Sequence, residues 1–134
     1  DKSAFNHPIH TVLMNQSYFN GIGNYLRAEI LYRLPNVNPW ASTREVLEKE
    51  TLIFELCRDI PLQAYALGGG QLKDWESPFD NDPEPFRKFM RCYGNRNMSK
   101  KKDKNGRMFW YDSKWDEEAL WDHYSGLPNP TAYM

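Results

Sequence analysis

Residues Phe19-Asn20-Gly21-Ile22-Gly23-Asn24-Tyr25-Leu26-Arg27-Ala28-Glu29 read as a tight glycine turn that opens directly onto a helix. Gly21 and Gly23 are free to take positive φ and keep side chains out of the way, so a ligand can approach the backbone. The first turn of a helix leaves amide donors unpaired and carries the positive end of the dipole. Such a turn is an anion site, and phosphate is the common anion. Asn24 adds a neutral side-chain donor at the same point. The competing reading is a helix–helix turn without a ligand, because Gly-x-Gly alone recurs by chance.

A second group of residues carries charge. From Arg87 to Arg107 nine basic residues stand against one acid, Asp103, a net +8. From Met108 to Met134 Lys114 stands against five acids, a net -4, and the whole chain sums to -1. A basic face beside an acidic tail points to nucleic acid. Met98 to Asp103, Lys104-Asn105-Gly106 and Arg107 to Tyr111 read as a β-hairpin, Asn-Gly being the strongest short turn signal. Lys104 and Arg107 crowd its tip, and the Arg107 guanidinium offers phosphate a bidentate fork that lysine cannot copy. The competing reading is an edge hairpin kept soluble by lysines.

Metal chemistry has little support. Cys57 and Cys92 lie far apart and no Cys-x-x-Cys occurs, which rules out a four-cysteine zinc site. Two unpaired thiols in a reducing compartment are the default. His7 and His10 straddle a helix start without acidic partners, so a cap and a surface histidine fit them better than metal ligation. No metal and no cofactor is expected.

The elements that must position these groups follow from spacing and punctuation. A chain of 134 residues, 40 % apolar and 15 % aromatic, suffices for one compact domain. No apolar run approaches membrane-spanning length, so no membrane partner is expected. No basic-then-apolar leader is visible at the start, and a first residue Asp1 reads as an excised or processed piece. A helix is predicted from about Pro8 to Gln16, with Pro8 at its first position. A second runs from about Asn24 to Leu34, striped by Leu26, Ile30, Leu31 and Leu34 and supported by a Glu29–Arg33 pair. Pro35 ends it.

Ser42-Thr43-Arg44-Glu45 is a capping box that opens a long helix through Ile60. Pro61 is expected to break that helix and start a short one that stops at Gly68. A loop then runs to Pro78. Asp82-Pro83-Glu84 starts another helix, with Phe86, Phe89 and Met90 inward. In the hairpin Met108 and Trp110 share one face, Phe109 and Tyr111 the other. A last helix is expected from Ser113 to Gly126, with Leu120, Trp121 and Tyr124 apolar, followed by a turn-like tail. Trp110, Trp115 and Trp121 read as core, with partner binding as the alternative. The fold class is mostly α with one β-hairpin.

Residues 21–33, Gly-Ile-Gly-Asn-Tyr-Leu-Arg-Ala-Glu-Ile-Leu-Tyr-Arg, resemble the helix–two-turns–helix signature of the formamidopyrimidine-DNA glycosylase/endonuclease VIII family. Arg91-Cys92-Tyr93-Gly94, then Asp103-Lys104-Asn105-Gly106-Arg107 through Trp110, resemble its finger hairpin. The lack of metal cysteines matches the zincless-finger branch, the endonuclease VIII-like 1 glycosylases. The resemblance covers about residues 5 to 112. It implies a helix–two-turns–helix DNA-binding domain over 1–92 and a zincless finger over 93–112, while the C-terminal helix and tail over 113–134 is read from the residues alone and is not carried over from the family.

The family excises oxidised bases from DNA and cleaves the abasic strand, flipping the damaged nucleotide into a pocket. The resemblance assigns Asn24, with Gly23, to a DNA phosphate, and Arg107, with Lys104, to phosphates flanking the lesion. The loop from Gly68 matches the family's lesion-facing loop by position but departs from it in sequence, leaving Gln71 and Lys73 as weakly supported lesion contacts. The implied partner is duplex DNA with oxidised bases or abasic sites, bound by a monomer in the nucleus. The family's N-terminal proline nucleophile and β-sandwich have no counterpart here, and nucleophilic amine catalysis needs an activated amine at the sugar. The chain is therefore expected to be the C-terminal half, inactive without the missing N-terminal catalytic domain. A non-catalytic nucleic-acid module of helix–hairpin–helix or ribosomal type is the alternative, and a protein-interaction domain is a third.

Overall fold

The computed structural model describes residues 3–67 and 84–122. Helices α1 (Ile9–Val12), α2 (Asn24–Tyr32), α3 (Thr43–Lys49), α4 (Leu52–Ala66) and α5 (Glu84–Phe89) precede strands β1 (Ser99–Lys102) and β2 (Met108–Tyr111), and α6 (Asp116–Asp122) follows them. Short 3-10 turns at Ala4–Asn6 and Ser113–Trp115 lead into α1 and α6. No helix among the described residues is long and apolar enough to cross a membrane.

The centre of the fold is α2. Six successive residues, Leu26 to Leu31, are buried, so the helix is enclosed on all sides by α1, α4 and β2. A helix buried all round is normally apolar all round. This one carries Arg27 and Glu29, both with 0 % exposure. Around it Ile9, Leu13, Ile22, Ile30, Val46, Ile53, Ile60, Phe109, Tyr111 and Ala119 form one apolar cluster.

The strands pair antiparallel, Ser99 with Tyr111 through Lys102 with Met108. The alternation is as expected: Phe109 and Tyr111 point into the core, while Met108 and Trp110 stay half-buried. Gly106 takes φ 83 in a three-residue connection whose ends are closed by Gly106 N–H to Asp103 O (3.0 Å) and Asp103 N–H to Arg107 O (2.8 Å). A left-handed glycine in that position is the usual solution for such a loop.

Several expected boundaries shift. The first helix is a single turn, because Pro8 is extended (ψ 142) and the Ile9 and His10 amides donate to Ala41 and Pro39. The long helix predicted from Ser42 is two. Ser42 Oγ does accept the Glu45 N–H, but Glu50 leaves helical angles (φ -128, ψ 87) and its carboxylate takes the Leu52 N–H, starting α4 afresh. Pro61 then sits inside α4 instead of breaking it. An interior proline costs about 3 kcal/mol. Ile53, Ile60 and Ala64, buried on both sides of it, hold the helix together. In the last segment 113–115 is a 3-10 turn, α6 starts at Asp116, and Leu120 is 57 % exposed instead of apolar core. Trp110 and Trp115 are half-buried, Trp115 packing against the core.

Candidate nucleic-acid interface

The glycine turn is held from behind by one side chain. Gln16 Oε1 accepts the Gly21 N–H (3.0 Å), and Gln16 Nε2 donates to Ile22 O (3.2 Å). Ile22 itself plugs the core at 1 % exposure. Gly21 has φ 88, a conformation that disfavours side chains. Gly23 differs: it is the N-cap of α2 in extended backbone (φ -98, ψ -175), with no side-chain cap bond. A Cβ built on Gly23 meets nothing within 4 Å. Neither conformation nor packing demands glycine there, and Ser or Asp would cap the helix better. Space in front of the helix end is what glycine provides.

Asn24, the first residue of α2, turns its side chain toward the finger. Its Nδ2 donates to Met108 O (2.9 Å), and its Oδ1 accepts Arg27 Nε (3.1 Å) and Nη2 (2.7 Å). The amide expected to face an anion therefore commits one of its two N–H groups to the strand next to Arg107. Arg27 continues the chain. Its Nη1 donates to His10 O (3.0 Å) and its Nη2 meets Asp103 Oδ2 at 2.7 Å. Asp103 Oδ1 accepts the Asn105 and Arg107 amides, each at 2.9 Å. Burial alone would raise the Asp103 carboxyl. The Arg107 amide, Arg27 and the Asn105 amide outweigh it and hold the group below the usual carboxylate range.

The base of the finger is fixed from the same helix, two residues beyond Arg27 and on the opposite face. Glu29 accepts three successive backbone N–H groups, from Arg91 (2.9 Å), Cys92 (2.8 Å) and Tyr93 (2.9 Å). Arg33 donates to Phe89 O (2.9 Å), lies over the Phe89 ring (4.5 Å), and sits 3.6 Å from Glu29. The Glu29–Arg33 pair is thus present, but the shorter bonds of Glu29 go to residues 91–93 and that of Arg33 to the end of α5.

Beneath the tip lies an aromatic floor. The Phe109 ring carries the Arg27 guanidinium at 4.9 Å and stacks on His10 at 4.8 Å and 10°, with Trp40 edge-on. His10 is buried, not on the surface as expected, and neither ring nitrogen has a partner. Burial, reinforced by Arg27, pushes its pKa down to about 3. Among the described residues no group of His, Cys, Asp or Glu could hold a metal ion.

Four expected site residues thus fall together. Gly23 and Asn24 begin α2, Asn24 bonds the residue after Arg107, and Lys104 lies in the same connection, exposed like Arg107. An open cleft of about 370 Å³ borders Lys104 but not the other three, lined by His7, Thr11, Asn15, Lys104 and Asn105 among others. Gln71 and Lys73 lie outside the described residues. Sequence reasoning missed Arg27 and Asp103, and saw in Glu29 only a helix pair. Two signals were available: Arg27 stands between apolar Leu26 and Ala28, and Asp103 is the lone acid in a strongly basic window.

Comparison with known proteins agrees with this arrangement. The family described as "Endonuclease VIII-like 1, DNA bind" matches residues 82–115, which hold α5 and the whole hairpin. Endonuclease 8-like 1 of Homo sapiens is 39 % identical over 130 residues, covering 81 % of this chain and 32 % of the relative. The Mus musculus protein of the same name is 38 % identical over 129 residues, with the same coverage. Formamidopyrimidine-DNA glycosylase of Xylella fastidiosa is 33 % identical over 94 residues, 69 % of this chain and 34 % of the relative. The chain spans about a third of the length of these curated relatives. With a finger hairpin and a glycine turn in the expected order and in direct contact, the chain belongs to the formamidopyrimidine-DNA glycosylase/endonuclease VIII family, on its endonuclease VIII-like 1 branch.

Proposed function

We propose that this chain is the DNA-binding part of a base-excision DNA glycosylase/AP lyase that acts on oxidised bases. The N-terminus of α2, with Gly23 and the second N–H of Asn24, holds one phosphate, and Arg107 and Lys104 on the zincless finger hold phosphates on the other side of a flipped-out nucleotide. The catalytic amine belongs to a separate N-terminal domain. The observation that supports the reading is the join between the two elements: Asn24 Nδ2 donates to Met108 O, the residue after exposed Arg107, and Gly23 leaves open space at the same helix end. Phosphate contacts position a protein without reading sequence. Binding is therefore expected on any duplex, strengthened where the backbone is already distorted.

The test is a fluorescence-anisotropy titration of duplex DNA, with and without an abasic-site analogue, across a salt series. Preference for the abasic duplex is expected, with log affinity falling about 0.9 per phosphate neutralised for each log unit of salt. A flat salt response, or no binding, overturns the proposal. Tighter binding to RNA or to undamaged duplex favours a non-catalytic nucleic-acid module. Borohydride treatment of the chain with abasic DNA should trap no covalent adduct, since the proposed nucleophile lies elsewhere.

A further inference from the structure

We infer that Arg27 and Asp103 form a buried lock that fixes the hairpin tip against the start of α2, so that Asp103 is a positioning residue for Arg107. The DNA-binding part of this inference rests on the function proposed above; the lock itself does not.

Three observations carry it. A two-stranded hairpin is at best marginally stable on its own, so its tip needs an external hold. Asp103 supplies one with both oxygens. Oδ1 gathers the Asn105 and Arg107 amides and shapes the turn, while Oδ2 receives Arg27 at 2.7 Å and places that turn on α2. Second, the partners are sequestered: side-chain exposure is 0 % for Arg27 and 4 % for Asp103. A buried ion pair gains little over well-packed apolar residues, because desolvation offsets the attraction, and its best-attested use is to specify one arrangement. Third, Arg27 ties together three segments, through His10 O, Asn24 Oδ1 and Asp103 Oδ2. Asn24 in turn bonds Met108 O. Arg107 is therefore flanked by two residues, Asp103 across the turn and Met108 along the strand, that are both bonded to α2 or to its guanidinium. Moving the guanidinium of Arg107 relative to the glycine turn requires breaking this network.

The experiment is a double-mutant cycle of Asp103→Asn with Arg107→Ala, read by abasic-duplex affinity across salt, plus amide exchange without DNA. Asparagine keeps an acceptor for the turn amides but removes the charge that Arg27 holds. The lock predicts faster exchange at Gly106 and Arg107 in Asp103→Asn, with Ile30 and Leu31 still protected. It also predicts a salt slope reduced by about one, and a smaller fold-loss from Arg107→Ala in the Asp103→Asn background than in the unmodified chain. Unchanged exchange at the tip overturns the lock. An Arg107→Ala effect of the same fold in both backgrounds, with unchanged slope, overturns the positioning role. If Asp103→Asn does not fold, Arg27→Lys, which keeps the charge but not the fork, enters the same cycle. Loss of α2 protection together with the tip in both variants would make the pair a determinant of the whole fold and would also overturn the lock. Failure of the unmodified chain to bind DNA sinks the DNA-binding reading alone, because the exchange arm still decides whether the lock exists.

Discussion

The finger is held at two places by residues two positions apart on one helix, and so on opposite faces of it, and the two holds differ in kind. At its base, Glu29 grips three backbone amides of residues 91–93. At its tip, Arg27 grips a side chain, Asp103, in a turn that presents Arg107. The base hold asks nothing of the side chains at 91–93. The tip hold depends on one carboxylate at one position, where the hairpin's connection begins. The base therefore anchors the finger to the fold, while the tip sets where its charge is delivered. A charge inside the core is costly in either place, and in either place it has found enough donors or acceptors to stay.

The largest expected effect is at the base. Glu29→Ala leaves three amides without their acceptor and Arg33 without its counter-charge, at a cost on the order of 3–5 kcal/mol. A urea melt should show it as a large drop in midpoint. A change under about 1 kcal/mol would mean that the base is held by something else.

Acid separates the two holds next. His10 has a pKa lowered to about 3, so the folded chain binds fewer protons than the unfolded chain below the ordinary value near 6.5. Its contribution is complete above pH 6.5 and is lost as pH falls toward 3, at about 1.4 kcal/mol per pH unit. Asp103 adds to this only lower down: its depressed carboxyl stabilises the fold above about pH 3.9, and that share goes as pH falls through the folded value. His10→Phe keeps the stack on Phe109 and should flatten stability between pH 6 and 4, approximate bounds set by the ordinary histidine and carboxylate pKa values. An acid limb unchanged in that variant would place the titrating group elsewhere.

Gly23→Ser sharpens the distinction between holding the fold and holding the ligand. Serine is a better N-cap, and the structure leaves room for it, so thermal stability should stay level or rise by about 0.5 kcal/mol. DNA affinity should fall, because the side chain fills the space in front of the α2 amides. Affinity that rises with stability would refute the phosphate role of that turn. The smallest effect belongs to a charge pair outside both holds. Lys49 and Glu45 meet at 2.9 Å but are largely exposed. Lys49→Ala should change stability by less than about 0.5 kcal/mol and leave the salt slope of binding untouched.

What could be read from local sequence was read where local physics decides it. The glycine turn, the start of α2, the Ser42 cap and the in–out alternation of 108–111 depend on neighbours within a few residues, and each is where the pattern puts it. Pro61 inside α4, the break at Glu50 and the single-turn α1 went the other way. At Pro61 burial, and at α1 backbone bonds to a distant segment, outweighed the local preference, whereas the break at Glu50 is itself local, its carboxylate taking the Leu52 N–H.

The amino-acid order by itself determined that this chain has a glycine turn opening onto a helix, a basic hairpin and the family to which both belong. Only the tertiary structure decided that those two features are one surface. Arg27 meets Asp103 across 76 positions, and Glu29 meets Tyr93 across 64. No periodicity or capping rule reaches that far. Charges at such separation become partners only when the core closes around them and leaves each no nearer way to be satisfied.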